Sequence, residues 1–162
     1  MKVVNPKHLD AVARMINASP YFDLVGVKVT EMKNGEATVY LDMEHKHLNP
    51  FGGPHGGVYA LMIDTVCYWA AYCEMPEEAG FTSLDLTVNN IKMAKMGTLR
   101  ADGRVVHAGS SVCVCEATVY DEDENVMAYG TSKLLVLRGK QTIPQALSVM
   151  NEDPLPPKYI EK

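Results

Sequence analysis

The segment Asn49-Pro-Phe-Gly-Gly-Pro-His55-Gly56-Gly57 leads into an apolar stretch, Val58 to Cys73, in which Asp64 and Thr65 are the only strongly polar side chains. A carboxylate there is costly, because an ionised group is rarely buried without partners and desolvation raises its pKa. Asp64 therefore either bonds a nearby backbone group or faces a strip of solvent, or it is a general base or nucleophile in a dry cleft. The turn before it favours the second reading. Gly56 and Gly57 stand where a helix begins, and the first N–H groups of a helix, unpaired and at the positive end of its dipole, can hold an anion or a developing oxyanion. Glycine also lets a carbonyl approach closely, although a tight helix entry needs it for dihedrals alone.

The remaining reactive side chains are read more plainly. His45-x-His47 with His55 would suggest a metal site, but spacing places no fourth ligand and a loop cluster of solvated or capping histidines is expected. Asp121-Glu-Asp-Glu-Asn125 lacks the glycine and closing glutamate of a calcium loop and reads as a hairpin tip. Cys67 and Cys73 fall on the apolar helix, and Cys113 and Cys115 share one face of a strand. Buried free thiols in a reducing, cytoplasmic setting are expected.

Several elements must position Asp64. Pro6 to Ala18 carries Leu9, Val12, Ala13 and Ile16 at helical spacing behind an Asn5 cap. A second helix runs through the apolar stretch and is expected to be buried on every side. Strands are predicted near residues 24–31, 35–43, 82–92, 98–107, 110–120 and 125–137, with turns at Asn34-Gly35, Ala108-Gly109 and the acidic tip. One long helix followed by sequential strands predicts an α+β fold, an antiparallel sheet wrapped around that helix. Residues 1–138 form this domain. Residues 139–162, with four prolines, are expected to be an irregular tail.

Composition limits the function classes. The 162 residues are 47% hydrophobic and 22% charged, which suits a single globular domain. A net charge of -5 disfavours nucleic acid as a partner. The stretch 56–73 approaches membrane-spanning length, but the central Asp64 and the lack of flanking basic residues argue against insertion, and the amino terminus carries no signal-peptide pattern.

The pattern Asn49-x5-His55-Gly56-Gly57-x6-Asp64 resembles the hotdog-fold acyl-CoA thioesterases of the PaaI-like, phenylacetate-degradation type. Leu24-Val-Gly26-Val-Lys-Val with Asn34-Gly35-Glu-Ala-Thr-Val-Tyr-Leu is similar to that family's first hairpin. Thr82-Ser83-Leu-Asp85-Leu-Thr-Val-Asn-Asn and Met127-Ala-Tyr-Gly-Thr-Ser-Lys resemble later strands, so the likeness spans roughly residues 20 to 138. It implies a catalytic Asp64, a Gly56 N–H donor to the thioester carbonyl, a loop asparagine at Asn49, and a strand serine, Ser83, near the attacking water. Asp64 would activate water or attack directly, with no metal or redox cofactor. The chain departs from the family where an aromatic residue and a proline usually stand: it reads Asn89-Asn90-Ile-Lys92-Met93, with Met93 at the proline position.

Lys92, Lys95, Arg100 and Arg104 fall in a window whose only acid is Asp102. They form an ordinary strand edge, or with Gly109-Ser110-Ser111 they hold the phosphates of coenzyme A. His55 and Gly57 complete the expected substrate-binding set. A non-catalytic acyl-CoA-binding or ligand-sensing module is the reading from another class. A hydratase fits less well, because an Asp-x4-His arrangement on the helix would need histidine where Trp69 stands. Finally, Gly56 and Asp64 are separated by about 12 Å along one helix, too far for one carbonyl to meet both. Two chains with antiparallel helices would bring Gly56 of one to Asp64 of the other. The resemblance implies the same dimer, often paired into a tetramer.

Overall fold

The computed structural model describes residues 1–161. Asn5 accepts from the Lys7 N–H and opens α1 (Pro6–Asn17), which buries His8, Leu9, Ala11, Val12, Met15 and Ile16. α2 (Pro20–Val25) follows, then the hairpin of β2 (Val27–Lys33) and β3 (Glu36–Asp42), and one 3₁₀ turn at His45–His47. α3 (Gly56–Glu74) crosses the molecule, followed by β4 (Ala79–Asn90), β5 (Thr98–Ala108), β6 (Val112–Tyr120) and β7 (Val126–Arg138). The six strands β2–β7 form one antiparallel sheet in the order β2-β3-β5-β6-β7-β4, with α3 packed against every strand. This is the hotdog arrangement.

Period-two burial explains the sheet. Val27 and Val29, then Ala37, Val39 and Leu41, then Leu99 and Ala101 are buried, while their sequence neighbours are more exposed. Small residues let the helix lie close: a Cβ at Gly103 would come within 2.8 Å of Val66, and one at Gly130 within 3.1 Å of Ile63. Met62, Ile63, Val66 and Cys67 are completely buried, the first three each worth about 1.5–3 kcal/mol as a large apolar side chain removed from water.

Three expectations change. The first strand begins at Val27 rather than residue 24, because Pro20 starts a helical turn and Gly26, at φ 79°, ends it in the left-handed region. The helix α3 is not buried on every side: Ala60, Leu61, Asp64 and Tyr68 are only half-buried, and Gly57 is exposed. The tail is structured over much of its length. Thr142 and Gln145 form a reciprocal cap on α4 (Ile143–Met150), and β8 (Tyr159–Glu161) pairs antiparallel with β1 (Lys2–Val4). Residues 151–158 carry no regular element.

Lys158 fastens this tail. Its fully buried ammonium donates to Tyr72 O at 2.6 Å and Met75 O at 2.7 Å, the carbonyls left over where α3 ends. His8 joins the same contact, one ring nitrogen bonded to Pro156 O and the other to the Tyr72 hydroxyl, both at 2.6 Å.

Candidate active site

The loop into α3 is organised by two side chains. The Asn49 amide oxygen accepts from the Phe51 N–H at 2.9 Å and the Gly53 N–H at 3.3 Å, while its Nδ2 donates to Pro54 O. Gly52, at φ 83°, supplies the reversal. His55 is the N-cap of α3, its Nδ1 accepting from the Gly57 N–H at 2.9 Å. The Gly56 N–H group has no partner within a helix that starts there, as at any helix entry.

Asp64 sits two turns on, half-buried, with Oδ1 accepting from Ser83 Oγ at 2.9 Å. Ser83 reaches it because α3 runs antiparallel to β4. A Cβ on Gly56 would lie 3.1 Å from Asn90 Nδ2, Asp64 meets Ser83, and the Tyr68 ring packs edge-on against Phe81 with centroids 5.5 Å apart. A β-bulge between Ser83 and Asp85 sets the register, so that Ser83 pairs with Leu134 but Asp85 with Lys133. Asp85 turns to the outer face, where the Lys133 ammonium at 2.7 Å holds its carboxyl below the usual carboxylate range.

Tyr59, which the sequence did not single out, ties a second loop to the helix entry. Its hydroxyl donates to Lys92 O and accepts from the Ala94 N–H, both at 3.0 Å, and burial pushes its pKa up. Met93 packs over Gly53 in the same place, its Sδ standing where a Gly53 Cβ would be. Lys92 and Lys95 are therefore exposed beside the start of α3.

The other members of the basic window lie elsewhere. Arg100 and Arg104 alternate with buried Leu99, Ala101 and Gly103 and so face outward, away from α3. Arg100 is engaged by Asp102 and Glu124, and Arg104 by Glu116. Gly109, Ser110 and Ser111 form the β5–β6 turn, level with the Ser83 end of β4. A single chain thus separates this turn from Lys92 and Lys95 by about seven strand residues, roughly 23 Å.

The cysteines, and His8, His47 and His55, have structural roles. All four thiols are free and buried, and desolvation pushes Cys73 and Cys115 up to about 12 and Cys67 and Cys113 upward as well. None is a poised thiolate. His47 spends both ring nitrogens, accepting from the Glu44 N–H and donating to Val25 O. Among the described residues, no helix is long and apolar enough to cross a membrane.

Comparison with known proteins places the chain in a family. The family model described as thioesterase superfamily matches residues 51–128, from the Asn49–Pro54 turn through β7's first residues. A Halobacterium salinarum protein that bears the name "putative esterase" is 31% identical over 125 residues, covering 70% of this chain and 82% of that protein. This chain belongs to the thioesterase superfamily. Another superfamily relative, 26% identical over 74% of this chain and 97% of its own length, is named 1,4-dihydroxy-2-naphthoyl-CoA hydrolase, from Listeria monocytogenes. The crystal structure of a Haemophilus influenzae thioesterase superimposes with TM-score 0.75 at 17% identity, covering 82% of this chain and 92% of that one, which bears on the fold alone. The thioesterase match contains the Gly56 helix entry, Asp64 and Ser83.

Proposed function

We propose that the protein is a PaaI-like acyl-CoA thioesterase, hydrolysing a CoA thioester to the free acid and CoA. The observation that carries the reading is the Ser83–Asp64 hydrogen bond on an otherwise apolar helix that opens at Gly56. The Gly56 N–H polarises the thioester carbonyl and stabilises the tetrahedral oxyanion; such a donor is commonly worth about 10²–10³ in rate. Asp64 deprotonates water or attacks the carbonyl itself, and Ser83 orients its carboxylate. Asn49 acts through the turn that presents Gly56, and His55 and Gly57 hold the helix entry in shape. No metal or redox cofactor is called for.

The site needs a second copy. Gly56 and Asp64 of one chain are about 12 Å apart along α3, whereas both must lie about 3 Å from the reacting centre. A two-fold axis past Ala60, midway between them, solves this. Since Gly56 adjoins Asn90 and Asp64 adjoins Ser83, the same axis passes β4 near Leu86 and Thr87. β4 is an edge strand with exposed residues from Thr82 to Thr87, so its free backbone groups and the half-buried α3 stripe form one continuous docking face. Such a homodimer, or a dimer of dimers, also carries the partner's β5–β6 turn (Gly109, Ser110, Ser111) toward Lys92 and Lys95, which hold the CoA phosphates. Arg100 and Arg104, already paired with acids, contribute little. Buried free thiols suit the cytoplasm.

A mixed-dimer experiment tests the reading. Asp64→Ala chains and Asn49→Ala chains, each inactive alone toward acyl-CoA esters, regain activity when co-refolded, because each heterodimer keeps one intact site. Verified heterodimers that stay inactive refute the shared site. An Asp64→Asn protein that hydrolyses at the wild-type rate refutes the assignment of the base.

A further inference from the structure

One turn beyond Asp64, α3 meets an apolar cavity of about 540 Å³. It is lined by Tyr68 and Trp69 of α3, Phe22 of α2, and Ile143, Ala146 and, at its rim, Val149 of α4. No charged side chain lines it among the described residues. Tyr68 belongs to both places. It follows Asp64 by four residues, about 6 Å of helix rise, and it packs on Phe81, two residues before Ser83 on β4. Tyr68 thus lines the cavity while its ring packs on Phe81, one turn from the Asp64–Ser83 pair.

We propose that this cavity receives the acyl group of the thioester, so that the substrate class is a CoA ester of an extended apolar acid, medium-chain or aryl, and that α4 sets its size. The proposal rests on the thioesterase reading above. A carbonyl held at Asp64 directs its two substituents oppositely: the charged CoA goes to the exposed lysines at the α3 start of the facing copy, and the acyl chain goes along the Tyr68–Trp69 ledge. A space of this volume without charge suits an apolar group and no part of the nucleotide. α4 is held for the task. Gly80 lets the chain cross tightly, since a Cβ there would fall 1.9 Å from Lys140 O, and Lys158 anchors the segment beyond. The outward face of α4 at the rim stays apolar, with Val149 87% exposed.

Two readouts test it. In turnover, kcat/KM rises about three- to fourfold per acyl methylene until the cavity is full. Ala146→Phe lowers the octanoyl-CoA to acetyl-CoA ratio of kcat/KM at least tenfold. Val149→Glu, at an exposed position that does not threaten folding, lowers the same ratio. In binding, Trp69 is the only tryptophan, and its emission shifts on adding octanoate but not acetate at equal concentration. An unchanged ratio in both variants overturns the proposal. So does a Trp69 spectrum that responds to protein concentration and not to octanoate, which assigns the cavity to a second copy. The two readings fail separately. If octanoate moves Trp69 while no acyl-CoA is hydrolysed, the hydrolase reading falls and the cavity assignment stands. If acyl-CoAs are hydrolysed without regard to length and octanoate leaves Trp69 unmoved, the cavity assignment falls alone.

Discussion

Lys158 offers a quantitative test of how the tail is held. Its ammonium is fully buried, 3.8 Å from the centre of the Tyr72 ring and bonded to two carbonyls at the end of α3. Burial pulls its pKa down from 10.5 to about 8, against smaller opposing effects of Cys73, Glu77 and Glu78. Between those two values the unfolded chain keeps a proton that the folded chain has released, so stability rises with pH there. The gain is about 1 kcal/mol from pH 7 to pH 9, and about 3 kcal/mol once the unfolded lysine also titrates. The buried thiols oppose it from about pH 8 upward: their folded pKa values are raised, so unfolded cysteines ionise first and stability falls. Lys158→Met keeps those thiols and removes only the lysine. The difference in unfolding free energy between wild type and variant therefore shifts in favour of wild type by about 1 kcal/mol between pH 7 and pH 9. Urea unfolding followed by Trp69 fluorescence at fixed protein concentration measures it. A difference that stays constant refutes the reasoning, because it would mean the carbonyls and the Tyr72 ring keep the ammonium charged.

Ser83→Ala removes one charge-assisted hydrogen bond and lowers kcat about 10- to 100-fold with KM little changed; a rise in KM at constant kcat would make Ser83 a binding residue instead. Tyr59→Phe leaves Lys92 O and the Ala94 N–H without their partner, costs about 1–2 kcal/mol and speeds amide exchange at Ala94, whereas unchanged exchange would show that the loop does not depend on this hydroxyl. Gly80→Ala pushes against the Lys140 and Gln141 carbonyls, destabilises by about 1–3 kcal/mol and opens residues 139–142 to limited proteolysis; an unaltered Tm and cleavage pattern would contradict the crossing described.

The elements were legible where one physical signal dominated. The apolar stretch after Gly56-Gly57 predicted a helix to Cys73, and α3 ends at Glu74. Valine-rich, period-two segments predicted the six strands to within a few residues of β2–β7. α2 was hidden because its Leu24 and Val25 read as the head of a strand, although Pro20 and Gly26 bracket a helical turn. α4 was hidden behind its prolines, yet Thr142-Ile-Pro-Gln145 carries both a capping box and a proline in the first turn. The candidate site was legible as a helix entry and an acid. Tyr59, Asn90 and Tyr68 were not, since each matters only through a neighbour that the fold supplies. The cluster of four cations was a matter of chain proximity: strand alternation sends Arg100 and Arg104 to the outer face while the lysines stay on the loop.

The β4 bulge decides which residues after Ser83 face α3, and a strict strand pattern misassigns them. In an unbroken strand, side chains two apart share a face, so Phe81 and Ser83 would be joined there by Asp85 and Thr87 while Leu86, Val88 and Asn90 faced out. The extra residue, Leu84, reverses this after Ser83: the pairing of Leu86 with Ser132, Val88 with Gly130 and Asn90 with Ala128 returns those residues to the face that carries α3. Asp85, which period-two counting would have aimed at the helix as a second carboxylate beside Asp64, instead meets Lys133 on the other side. The bulge keeps a like charge away from the candidate base and leaves a neutral amide at Asn90 beside the Gly56 helix entry. One inserted residue thus sorts the polar side chains of β4 between the two faces of the sheet.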